Sequence, residues 1–135
     1  MKELFKLKTV SAHCDIPCGI YETDTMTHSV ETCRRMIQKI DALGEIDNVE
    51  KQNTLIRSVM NKERHAQKVK HELYILWSDY FKPEHLETFP DLHDKIWKAA
   101  KQASTVKQTV SMDEVQKLAD MVHEIAHMFA DSKAK

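Results

Sequence analysis

The sequence predicts an all-α fold, an antiparallel up-down four-helix bundle, and three observations carry that expectation. Two glycines, Gly19 and Gly44, and three prolines, Pro17, Pro83 and Pro90, are the only strong helix breakers in 135 residues. Between them the apolar residues recur at intervals of three and four, the period of a helix with one buried face. Strand-like alternation, internal repeats and low-complexity stretches are absent from the sequence. A chain of this length forms one domain around one core.

The elements follow in order. Residues 1–12 alternate basic and apolar groups and end in small residues, which reads as a cleavable leader ahead of a domain spanning 13–135. A secretory signal needs an unbroken apolar run, and Lys6 and Lys8 interrupt the only one available. The first helix is expected over about residues 25–43, with Val30, Cys33, Ile37 and Ile40 on its stripe and Gly44 as its stop. Cys33 falls on that stripe, so it reads as a packed thiol. Asp47 or Asn48 caps a second, longest helix carrying Leu55, Ile56, Val59, Val69, Leu73, Leu76 and Trp77, which Pro83 terminates. Pro90 opens a third helix with Leu92, Ile96 and Trp97, and the polar residues 101–110 read as the next connection. Ser111-Met112-Asp113-Glu114 is a capping box for a fourth helix bearing Val115, Leu118, Val122, Ile125 and Phe129. Four amphipathic helices with short connections make an antiparallel bundle.

Charge excludes two classes of partner. With 20 basic and 21 acidic residues the formal charge is -1, which offers no general attraction to nucleic acid or to an anionic membrane. No apolar run approaches the roughly 20 residues of a membrane span. A cytoplasmic location is expected from the missing export signal.

The chemistry concentrates in His13-Cys14-Asp15-Ile16-Pro17-Cys18-Gly19-Ile20-Tyr21. Thiolates are soft ligands that select nickel, copper, zinc or iron. Two cysteines four residues apart also suit a local disulfide or half of a zinc site. The zinc version lacks a second half, because the remaining cysteine is Cys33 inside a helical pattern. A structural disulfide fits poorly in a chain with no secretory segment and length enough for a core. A third reading uses the backbone: were the chain cut before His13, the freed amine, the Cys14 amide nitrogen and the two sulfurs would form an N2S2 set suited to square-planar Ni(II) or Cu(II). The His13 ring could then add an axial ligand. Pro17 fixes φ before Cys18 and Gly19 frees the backbone after it, so the second sulfur can fold back.

This segment is similar to the nickel hook of nickel-containing superoxide dismutases, whose mature chains begin His-Cys-Asp-x-Pro-Cys-Gly-x-Tyr. A second stretch strengthens the resemblance: Trp77-Ser78-Asp79-Tyr80-Phe81-Lys82-Pro83, then His85, then Phe89-Pro90-Asp91-Leu92-His93. The resemblance implies a four-helix bundle with an N-terminal metal-binding hook. It implies one nickel ion per subunit on His13, Cys14 and Cys18, superoxide as substrate, a leader-processing protease and a homohexamer. Thiolate and amide donors would stabilise trivalent nickel, so that the metal can both oxidise and reduce superoxide. Tyr21 and Tyr80 match tyrosines beside the open face of the metal. Asp15 and Asp79 match carboxylates that brace the surroundings, and Lys82 would add positive potential for an anionic substrate. The family orients its axial imidazole with an acid in the first helix and an arginine in the second. Here those positions hold Ser29 and His65, leaving Glu31 or Arg64 as possible substitutes.

His123-Glu124-Ile125-Ala126-His127 spells the zinc-protease pattern H-E-x-x-H. Helical periodicity places both histidines opposite the Leu118, Val122, Ile125, Phe129 stripe and so toward solvent, and no further His or Glu follows to serve as a third ligand. Two other functions use the same hook without dismutation: a nickel or copper storage or delivery protein, and a helical scaffold with a redox-sensitive disulfide. Neither requires phenols beside a metal, so Tyr21 and residues 77–83 discriminate against both.

Overall fold

The computed structural model describes residues 19–134, in which four long helices and one short one form a closed bundle. Helix α1 spans Asp24–Asp41, α2 Val49–Ile75, α3 His85–Thr88, α4 Leu92–Gln108 and α5 Met112–Lys133. The long helices pack in a ring, α1 on α2, α2 on α4, α4 on α5 and α5 on α1. Side-chain contacts fix the antiparallel sense: Lys133 at the end of α5 reaches the Tyr21 carbonyl ahead of α1, while Trp77 and His93 meet where α2 ends and α4 begins.

Local signals in the sequence set most of the boundaries. Gly44 has φ +61°, in the left-handed region that a side chain disfavours, and the chain turns there after α1. The Asn48 side chain accepts from the Lys51 N–H at 2.9 Å, and the Ser111 hydroxyl accepts from the Glu114 N–H at 3.3 Å. The Glu114 carboxylate does not close the second arm of the expected box; it accepts from Gln102 at 2.7 Å and Lys117 at 2.7 Å.

Three expectations need correction. The polar stretch assigned to a connection is helix: α4 continues to Gln108, because Ala99, Ala100, Ala103 and Val106 extend the stripe of Leu92 and Ile96 and are all buried. Trp97 is 60% exposed, Trp77 46% and Ile56 58%, so three large apolar residues assigned to stripes stand outside the core. Their places are taken by small or polar groups, among them Ser58 and Lys62 on α2. The second helix also does not run unbroken to Pro83. A π turn, Leu76–Tyr80, ends it, and the Phe81 N–H bonds the Leu76 carbonyl at 2.9 Å. Leu76 and Phe81, which that bond joins, are both buried.

Lys62 is the unexpected core residue, only 1% exposed. Its ammonium donates to the Val106 and Lys107 carbonyls, each at 2.6 Å, at the C-terminal end of α4 where the macrodipole favours a cation. The Lys62 carbonyl accepts from the Cys33 thiol of α1 at 3.5 Å. Burial lowers the Lys62 pKa below the ordinary lysine value, partly offset by Glu63 at 3.9 Å.

Lys62→Met removes a charged donor from two carbonyls, and is expected to cost on the order of 2–3 kcal/mol. Cys33→Ala, a small core truncation, should cost about 1–2 kcal/mol. Urea unfolding checks both: the midpoints should fall in that order of severity, with the slope unchanged.

Candidate functional site

The hook residues His13, Cys14, Asp15, Pro17 and Cys18 lie outside the described residues. The structure begins at the next position, and Gly19 has φ +90°, a conformation that side chains rarely adopt. Two residues later Tyr21 is buried, at 8% exposure, and its ring packs on that of Tyr80 with centroids 5.4 Å apart and planes at 59°. The two tyrosines singled out in the sequence are thus brought together from positions 59 residues apart in the chain.

Several elements converge on this pair. Lys133 of α5 donates to the Tyr21 carbonyl at 3.1 Å, and its ammonium sits 4.1 Å from the centre of the Phe129 ring. Tyr80 packs on Phe129 at 4.6 Å, on Phe81 at 5.1 Å and, nearly parallel, on His85 at 5.7 Å. The Tyr80 hydroxyl lies 2.7 Å from the Ser132 hydroxyl. Ser132 spends its single proton on the Phe129 carbonyl at 2.7 Å, so Tyr80 is the donor in that contact and keeps acceptor lone pairs for other groups. His85 accepts the Lys82 N–H on Nδ1 at 2.9 Å, which in a neutral ring leaves its proton on Nε2.

Of the remaining predicted residues, Asp79 is half-buried with Oδ1 3.1 Å from the Ser78 hydroxyl, and Lys82 is exposed. Ser29 is buried on α1. His65 is half-buried on α2, and among the described residues its Nδ1 is enclosed with no hydrogen-bond partner. Burial, then the charges of Lys68 and Arg64, hold its pKa below the ordinary imidazole value. Neither suggested substitute is turned inward. Glu31 is exposed and paired with Arg34 and Arg35 at 3.2 Å each, and Arg64 is exposed. Cys33 is fully buried, and burial first of all pushes its thiol up to about 11, so it stays protonated at neutral pH. His123 and His127 face solvent, as the periodicity predicts.

Ser132, Lys133 and Phe129 are the participants that sequence reasoning missed as site residues. Lys133 and Tyr21 are 112 residues apart, and only the closure of α5 on α1 shows that they meet. A surface groove of about 450 Å³ between α2 and α4 is lined by Lys70, Tyr74, Trp77, His93, Trp97 and Lys101 among others. It includes neither tyrosine of the pair and is separate from this site.

Residues 8–133 match the family of nickel-containing superoxide dismutases. The chain belongs to that family. It is 35% identical over 134 residues to the superoxide dismutase [Ni] of Streptomyces seoulensis, and 34% identical to that of Streptomyces coelicolor, with 98% of each chain covered in both cases. A crystal structure of Ni-containing superoxide dismutase in the oxidised state superposes with a TM-score of 0.81 at 34% identity, covering 91% of this chain and 100% of that one. A crystal structure of Ni-containing superoxide dismutase after partial X-ray-induced reduction gives 0.79 at 35% identity, with the same coverage. The all-α bundle is thus the family's fold.

Beside Tyr21, burial works to raise the Glu22 pKa, but bonds from the Thr25 hydroxyl and N–H outweigh it and hold the carboxyl below the ordinary range. Glu72 of α2 is shifted the other way, raised by burial and then by the Glu22 charge. An acid with a raised native pKa binds its proton more tightly folded than unfolded, so stability falls as pH rises between the unfolded and folded values. Glu72→Gln should therefore raise the melting temperature at pH 7. The gain should vanish below about pH 3, where both states are protonated. Thermal scans across that range check it; a gain independent of pH would exclude the ionisation as its source.

Proposed function

We propose that this chain converts two superoxide radicals and two protons into O2 and H2O2, using one nickel ion per subunit held by His13, Cys14 and Cys18. The observation that carries this reading is the phenol pair: Tyr21 follows the second hook cysteine by three residues and packs on Tyr80 at 5.4 Å. The donor set fits nickel. Two soft thiolates, together with an imidazole and a strongly donating amide nitrogen, are ligands that a late transition metal favours. Nickel bound there would supply the one-electron exchange, alternating between its divalent and trivalent states, that the chain's own side chains do not provide.

The chain's residues do the rest. Tyr21 and Tyr80 position superoxide or water and restrict entry, with the Tyr80 hydroxyl held in place by its bond to Ser132. Asp15, Pro17 and Asp79 brace the hook and its surroundings. Lys82, exposed beside Tyr80, adds positive potential that draws an anion in.

In this reading residues 1–12 are a leader, and a protease frees the His13 amine by cutting before it. Support comes from chain lengths: the two Streptomyces relatives align with 98% of this chain, whereas the oxidised and partly reduced structures, themselves wholly covered, match 91% of it and leave about 9%, or roughly 12 residues, unmatched. That is the length of the segment ahead of His13. The assembly is proposed to be a homohexamer located in the cytoplasm. The exposed Val49, Ile56 and Met60 of α2 offer apolar surface for subunit contacts.

A chain starting at His13 is expected to bind one nickel ion and dismutate superoxide, and the intact chain to do neither with the same spectrum or rate. Cys14→Ser or Cys18→Ser should abolish activity and leave the helix content unchanged by circular dichroism. Equal activity in cut and uncut chains would sink the role of the amine. Nickel-dependent activity surviving either cysteine substitution would sink the hook. His123→Ala with His127→Ala should leave dismutation intact.

A further inference from the structure

Helix α5 carries two imidazoles that the proposed nickel hook does not use. His123 and His127 stand one helical turn apart on the solvent face, with ring centroids 4.7 Å apart and planes within 6° of parallel. Among the described residues neither ring makes a hydrogen bond or ion pair, so the ring nitrogens are open to a ligand. Two acids on the same helix are engaged elsewhere: Glu124 pairs with Lys95 of α4 at 2.6 Å, and Asp120 accepts from Gln116 at 2.8 Å. The tie to Lys95 occupies the glutamate that a zinc-protease motif would use as its base.

Two nitrogens at 2.0–2.1 Å from one ion in a right-angled arrangement stand about 3 Å apart. Parallel rings 4.7 Å apart approach that spacing through rotation about χ2, which is broad for histidine, without moving the helix. We infer that His123 and His127 form a second metal site, a solvent-exposed two-imidazole clamp for a late first-row divalent ion such as Cu2+, Ni2+ or Zn2+. Among the described residues no group of three or more His, Cys, Asp or Glu side chains is placed to hold a metal. The clamp therefore has two protein ligands, water completes its coordination, and the ion exchanges freely. A bound ion bridges successive turns of α5 and stabilises them.

The test titrates Cu2+, Ni2+ and Zn2+ into full-length protein carrying Cys14→Ser and Cys18→Ser, alone and with His123→Ala, His127→Ala or both. Alanine at exposed helix positions keeps the fold. One ion per chain is expected, with Cu2+ bound more tightly than Ni2+ or Zn2+. Each single substitution should weaken binding on the order of tenfold, because the second ring then no longer adds its effective concentration. The double substitution should remove the binding step and the metal-induced rise in melting temperature. With both hook cysteines present, the same double substitution should lower the number of bound ions by one. An unchanged titration in the double variant, or a single substitution without effect, overturns the clamp.

Discussion

The bundle depends on one buried cation. Lys62 places its ammonium against the last carbonyls of α4, while its own backbone carbonyl receives the thiol of Cys33 from α1. Three of the four long helices meet through this one residue. An ammonium costs much to bury, and here the cost is offset by charge-assisted bonds to carbonyls that the end of a helix leaves unpaired. The same bonds set where α4 stops relative to α2. Apolar side chains could fill this space at many registers, but an ammonium with two short bonds accepts one.

At the other end of α4 the register is fixed by a change of helical pitch. The π turn at Leu76–Tyr80 lets Leu76 and Phe81 share the core while Tyr80 turns to meet Tyr21, Phe129 and His85. π turns are often found at functional sites because they aim a side chain that a regular helix would misdirect. The aromatic cluster around Tyr80 is joined to α5 through Ser132 and Lys133. The phenol pair therefore rests on a scaffold drawn from both halves of the chain.

What the sequence reveals is what short-range chemistry decides. The caps at Asn48 and Ser111 and the turn at Gly44 depend on a few neighbouring residues and are legible. The long reach of α4 is not. Its second half is buried through alanines, whose burial depends on how closely the facing helices approach, and Lys, Gln, Ser and Thr between them disguise the stripe. Lys62 is unreadable for the opposite reason, since lysine ordinarily marks a surface. Trp77 and Trp97 mislead because size and apolarity suggest a core, yet Trp77 is half exposed and bonds His93 through its indole N–H. In the candidate site, Tyr21 and Tyr80 stand out by motif. Ser132 and Lys133 carry no motif and join only through the tertiary fold.

The burial of Cys33 has a bearing on chemical durability. Hydrogen peroxide, the product assigned to this protein, oxidises thiolates through sulfenic to sulfonic acids, and the thiolate is the species attacked. A thiol held up to about 11 is ionised at pH 7 to only about one part in ten thousand, and this one is also closed off from solvent. The chain thus keeps a sulfur at the centre of its core that its own product has little means of damaging.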